Sequence, residues 1–114
     1  MGNFTVEFFE REDGTFPAEE FILSQNVKMQ VKLFRLLELL ELKGNELREP
    51  YSKSILDGIF EIRAKQGTDA ARVLYFFVEN KKVILTNGFI KKMQKTPKNE
   101  IDIALKYRKQ YLER

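Results

Sequence analysis

The chain has 114 residues, enough for one domain with its own hydrophobic core, and its 43% apolar and 32% charged residues argue against disorder. It contains no cysteine and no histidine, which excludes disulfides, thiolate metal sites, a cysteine nucleophile and the usual neutral-pH proton shuttle. The net charge of +3 is unevenly placed: residues 1–20 are acidic on balance, with Arg11 alone against six carboxylates, whereas the segment from Lys91 to Arg114 is basic. Such asymmetry favours a basic face for an anionic partner.

The expected organisation is a single domain over residues 1–114. The N-terminus carries no signal peptide pattern and no apolar run reaches membrane-spanning length. The expected location is therefore cytoplasmic, with no membrane contact.

Asn3 to Glu10 alternates apolar and polar residues and predicts a first strand. Asp13-Gly14 is a turn. Pro17 followed by Glu19 and Glu20 is a helix start, and predicts a short helix to about Ser24. Asn26 caps a longer helix, Val27 to about Leu42, whose apolar stripe runs through Val27, Val31, Phe34, Leu37 and Leu40, flanked by Leu33, Leu36 and Leu39; Gly44 stops it. The leucine-rich stripe reads first as a core face, since so short a helix cannot sustain heptads.

Asn45 to Ser54 predicts a polar connection, and Ile55 to Ala64 a second strand. Lys65 to Asp69 is turn chemistry. Ala71 to Val78 is apolar on both parities, as in a central strand buried on both faces. A second short turn, Glu79 to Lys81, leads into a strand from Lys82 to Ile90, so the three strands form an antiparallel meander. Thr96-Pro97 opens a last helix, with Ile101, Ala104, Leu105 and Leu112 as its apolar stripe. The predicted order is β-α-α-β-β-β-α, an α+β fold with two helices inserted after the first strand.

One hairpin register keeps apolar partners together: Arg63 opposite Arg72, Ile62 opposite Val73, Phe60 opposite Tyr75. It leaves two guanidinium groups facing each other, a costly arrangement unless an anion or a carboxylate such as Glu61 lies between them. In that register Leu74 and Phe76 share the face of Arg72, and are expected to lie under the C-terminal helix or a partner. Lys91 and Lys92 follow the next strand and approach the same region, although the sequence does not settle which of the two points inward. Clustered cations lower one another's pKa, so a lysine there is a candidate acid or base where no histidine exists. The helix start at Thr96-Pro97 adds a dipole favourable to anions. No glycine-rich phosphate loop, metal-ligand spacing or nucleophile elbow is present.

The C-terminal half resembles the HigB-like, phage-derived branch of the RelE toxin superfamily. The resemblance is carried by Lys53 through Gly58 to Glu61-x-Arg63, by Arg72-x-x-Tyr75-Phe76, by Gly88-Phe89-x-Lys91-Lys92, and by Gln94 to Pro97 with Glu100, Ile101 and Ala104. The N-terminal strand and helices match only in type and order. The resemblance implies a RelE-like twisted antiparallel sheet with two helices packed on one face. It implies a toxin of a type II toxin–antitoxin system, an mRNA interferase that cuts messenger RNA on the ribosome by 2′-hydroxyl attack. No cofactor and no metal are implied. The implied partners are a helix-turn-helix, HigA-like antitoxin, with which the toxin forms an oligomer, and mRNA with the ribosome.

By the same resemblance, Arg63, Arg72, Lys91 and Lys92 are the catalytic candidates, and Lys53, Lys95, Tyr75 and Asn87 the RNA-binding ones. The position before Gly88 is often histidine in that branch. Here it is Asn87, which cannot shuttle a proton at neutral pH. Two other classes of function remain beside the ribonuclease: a catalytically weak or inactive toxin-fold protein that binds an antitoxin, and a plain nucleic-acid-binding module.

Overall fold

A computed structural model of the protein describes residues 3–114. It contains β1 (Thr5–Phe8), α1 (Pro17–Leu23), α2 (Val27–Lys43), β2 (Ser52–Leu56), β3 (Ile59–Gln66), β4 (Asp69–Val78), β5 (Lys82–Ile90) and α3 (Lys98–Leu112), with a short 3-10 turn at Gly44–Glu46. The strands form one mixed sheet in the order β1-β5-β4-β3-β2. This is an α+β architecture. No helix among the described residues is long and apolar enough to cross a membrane.

Two expectations about the sheet need correction. The first is the strand count: the region read as a connection followed by one strand is a hairpin, β2 and β3. The chain reverses at Asp57-Gly58, both with positive φ (53° and 80°), as a tight two-residue hairpin turn requires. Asp-Gly is the sequence signal for such a turn, and an uninterrupted strand could not have accommodated it. The second is direction: β1 pairs with β5 in parallel, Thr5 opposite Lys82 and Phe8 opposite Leu85. Alternation marks a half-buried strand but carries no information about its partner, so the sheet is mixed rather than wholly antiparallel.

Local chemistry explains the helices. α1 begins at Pro17 with Glu19 and Glu20 in its first turn. Asn26 caps α2 by accepting a hydrogen bond from the Met29 amide at 2.8 Å. Gly44 ends it at φ 53°, where a Cβ would stand 2.0 Å from the Phe4 ring. The stripe that α2 buries agrees with the expected one only in its second half: Leu37 and Leu40 face the sheet together with Met29 and the flanking Leu33, while Val27, Val31 and Phe34 are exposed. Both stripes have helical spacing, and periodicity alone cannot choose between them. On α3, Leu112 is likewise exposed, and Tyr107 and Tyr111 join Ala104 against the sheet.

The core has two layers. On one face of the sheet, α1 and α2 cover Ile62, Ala64, Val73, Tyr75, Val83 and Leu85. On the other, α3 covers Ile59, Leu74, Phe76, Ile84 and Phe89. β4 therefore supplies both layers, which accounts for its apolar residues on both parities. Leu74 and Phe76 are buried, with the Phe76 ring 5.9 Å edge-on from Tyr111 of α3, so the C-terminal helix covers them.

Candidate functional site

The hairpin of β3 and β4 has the expected register, with Arg63 opposite Arg72, Ile62 opposite Val73 and Phe60 opposite Tyr75. Both arginines share the α3 face with Glu61. The Glu61 carboxylate is 1% exposed, and its Oε2 lies 3.5 Å from Arg63 Nε and 3.4 Å from Arg72 Nε. Its Oε1 accepts a hydrogen bond from the Thr96 hydroxyl at 2.8 Å. Arg63 also meets Glu49 at 3.2 Å. One buried carboxylate thus holds two like charges together across the strands and ties the loop after β5 to the sheet.

Arg72 is the more buried arginine. Its Nη1 donates to the Ala71 carbonyl at 3.0 Å, and its Nε pairs with Glu61 without hydrogen-bond alignment. Burial lowers its pKa, Glu61 opposes that shift, and Arg63 adds to it. Arg72 stands behind the site as a fixed positive charge.

A bulge decides which lysine arrives. Val73 pairs with Gly88 and Tyr75 with Leu85, so β5 spends three residues where β4 spends two. The extra residue exchanges the two faces of β5. Ile84 faces α3 before the bulge; Asn87 and Phe89 do so after it. Lys91 continues this second parity onto the side of Arg72. Lys92 is exposed and lies outside the site.

Lys91, Lys53 and Lys95 line a cleft of about 250 Å³ with Glu61, Thr96 and Ile101 among its other walls. The pKa of Lys91 is lowered, first by burial and further by Arg72, Arg63 and Lys53, against the opposing pull of Glu61. Lys91 therefore gives up its proton more readily than a solvated lysine. Among the described residues, no three carboxylates converge in a way that could hold a metal ion.

Two of the expected RNA-binding residues lie in the interior. Tyr75 belongs to the opposite layer, beneath α2, with its hydroxyl 2.5 Å from Ser52 Oγ and its ring stacked on Phe60. Burial raises its pKa. An odd-numbered residue of β4 was bound to oppose Arg72 in parity, so its place could have been read from the register. Asn87 is buried beneath the first turn of α3. Its amide donates to Glu100 Oε1 at 2.9 Å and to the Glu100 carbonyl at 3.2 Å, and its Oδ1 accepts from Thr86 at 2.7 Å. Asn87 anchors the helix that borders the cleft.

The Thr96-Pro97 pattern predicts a helix start, yet the Thr96 hydroxyl reaches Glu61 and leaves α3 without a side-chain cap. No local signal distinguishes these two uses. A search of curated proteins found no match. The family model described as Phage derived protein Gp49-like (DUF891) matches residues 20–109, which hold every residue of the cleft, and the chain belongs to the phage-derived Gp49-like family.

Proposed function

We propose that this chain is the toxin of a type II toxin–antitoxin pair, a HigB-type mRNA interferase with a RelE-like fold that acts in the cytoplasm. The Gp49-like family is toxin-like, of the RelE/HigB type. The observation that carries the reading is the convergence of Lys53, Lys91 and Lys95 on one cleft backed by Arg63 and Arg72. So many cations around a small concave space suit a phosphodiester and the phosphorane formed from it. The partner of such a toxin is a helix-turn-helix, HigA-like antitoxin.

The chemistry is transesterification. The free amine of Lys91 takes the proton of a ribose 2′-hydroxyl, and the 2′-oxygen bonds to the adjacent phosphorus. The P–O5′ bond breaks as the Lys53 ammonium protonates the departing 5′-oxygen. The products are a 2′,3′-cyclic phosphate and a 5′-hydroxyl end. Arg63 and Arg72 stabilise the developing charge, and Glu61 is a positioning residue that keeps both guanidinium groups in place. Lys95 contributes to phosphate binding at the rim.

A second reading is a catalytically inactive interaction protein. It is favoured by one observation: Glu61 already engages both arginines. Inducing the chain alone in a bacterium, with primer extension on a reporter message, separates the two. The ribonuclease gives growth arrest and discrete cuts that Lys91→Ala removes. Absence of toxicity and cleavage, with intact binding of a helix-turn-helix partner, establishes the interaction protein instead.

A further inference from the structure

A second basic groove, of about 260 Å³, lies between α2 and β3. β2 begins only at Ser52, opposite Ile62, so the edge of β3 beyond that point has no strand beside it. Lys32 and Arg35 of α2 face this edge together with Arg63, Lys65 and Tyr51. No carboxylate lines the groove; Glu49 meets Arg63 from its border. The Lys32 ammonium donates to the Lys65 carbonyl at 2.5 Å, which fixes it over the strand edge. The Arg35 side chain has no ion pair or hydrogen bond among the described residues. Tyr51 is 48% exposed, a large aromatic face at one wall of a cationic channel.

Arg63 belongs to both sites. Arg63 borders the groove, while its Nε pairs with Glu61, a wall of the lysine cleft. The two basic surfaces therefore meet at one residue.

We infer that the groove of Lys32, Arg35, Tyr51, Arg63 and Lys65 holds the single-stranded RNA flanking the scissile phosphate, with an unpaired base stacked on Tyr51 and its neighbouring phosphates on Lys32 and Arg35. Exposed aromatic rings beside a cationic track bind single strands because every base has a π-face and every linkage a charge. A duplex keeps its bases stacked inside and can use only the cations. The inference rests on the ribonuclease reading for the position of the cleaved linkage, whereas the groove itself is read out by binding.

The test uses the full chain and a fluorescein-labelled 2′-O-methyl RNA of about twelve nucleotides, which lacks the attacking hydroxyl, so anisotropy reports affinity independently of cleavage. Tyr51→Ala is expected to weaken single-strand binding at least about fivefold, and Tyr51→Phe to retain wild-type affinity. The double variant Lys32→Gln/Arg35→Gln is expected to flatten the dependence of log K on log salt by about 1.4, as for two lost phosphate contacts. Arg35→Gln alone, which breaks no ion pair or hydrogen bond among the described residues, is expected to give about half that change. A duplex of equal length should feel the charge variants and be indifferent to Tyr51→Ala. Wild-type affinity and salt slope in all of these variants would overturn the groove, and equal loss in Tyr51→Ala and Tyr51→Phe would overturn the stacking. Loss of binding in the groove variants of a chain that cuts no RNA supports the groove and sinks the ribonuclease alone.

Discussion

The two faces of the sheet are built from the same strands and have opposite characters. Beneath α1 and α2 the face is apolar from Val83 to Ala64, and the Tyr75 hydroxyl that enters it is paired with Ser52. Beneath α3 the face is apolar only over part of its width, at Leu74, Phe76, Ile84 and Phe89. At the end of β3 and β4 nearest Lys91 it carries Arg72, Glu61 and Arg63 instead. The difference follows from coverage: α3 starts at Lys98, and the chain between Lys91 and Pro97 roofs that end with a loop instead of a helix. A helix would demand apolar partners; a loop allows a cleft. The cleft is therefore a consequence of where α3 begins as much as of which residues β3 and β4 carry.

The largest expected effect is at Lys91. Lys91→Ala should lower the rate of RNA cleavage by about 10²–10⁴-fold, the usual contribution of a positioned acid–base group. Its lowered pKa lies below the ordinary 10.5, so the free amine accumulates at lower pH than in a solvated lysine. The wild-type rate should rise with pH through this lowered pKa, and the residual rate of the variant should lack that rise. A wild-type rate that falls over the same range would remove Lys91 from the base role.

Glu61→Ala leaves Arg72 buried without its counter-ion and should cost about 3–5 kcal/mol in urea denaturation. Tyr75→Phe removes a polar partner on the other face and strands only the Ser52 hydroxyl, for about 1–3 kcal/mol. A larger loss from Tyr75→Phe than from Glu61→Ala would reverse the contrast between the faces. Lys92→Ala should change stability by no more than about 0.5 kcal/mol and leave cleavage at the wild-type rate. If it matched Lys91→Ala, the bulge in β5 could not be what selects the inward lysine.

Much of this was legible along the chain. The Pro17 and Asn26 helix starts, the stop at Gly44, the β3–β4 register and the burial of Leu74 and Phe76 follow from local chemistry and alternation. So does the suspicion that Glu61 sits between the two arginines. The turn at Asp57-Gly58 is a local signal too, and the expectation of one strand from Ile55 to Ala64 runs through it.

Sequence alone determined the types of the elements other than β2, the central position of β4 and the pairing of Arg63 with Arg72, because propensity, capping and periodicity act over a few residues. Tertiary structure decided the rest. The parallel pairing of β1 with β5 depends on the path of the two helices between β1 and β2. The choice of Met29 and Leu33 over Val27 and Val31 as the buried stripe of α2 depends on how that helix meets the sheet. Lys91 rather than Lys92 reaches the cleft because one extra residue in β5 exchanges its faces, and a strand's parity is fixed by the partner it pairs with.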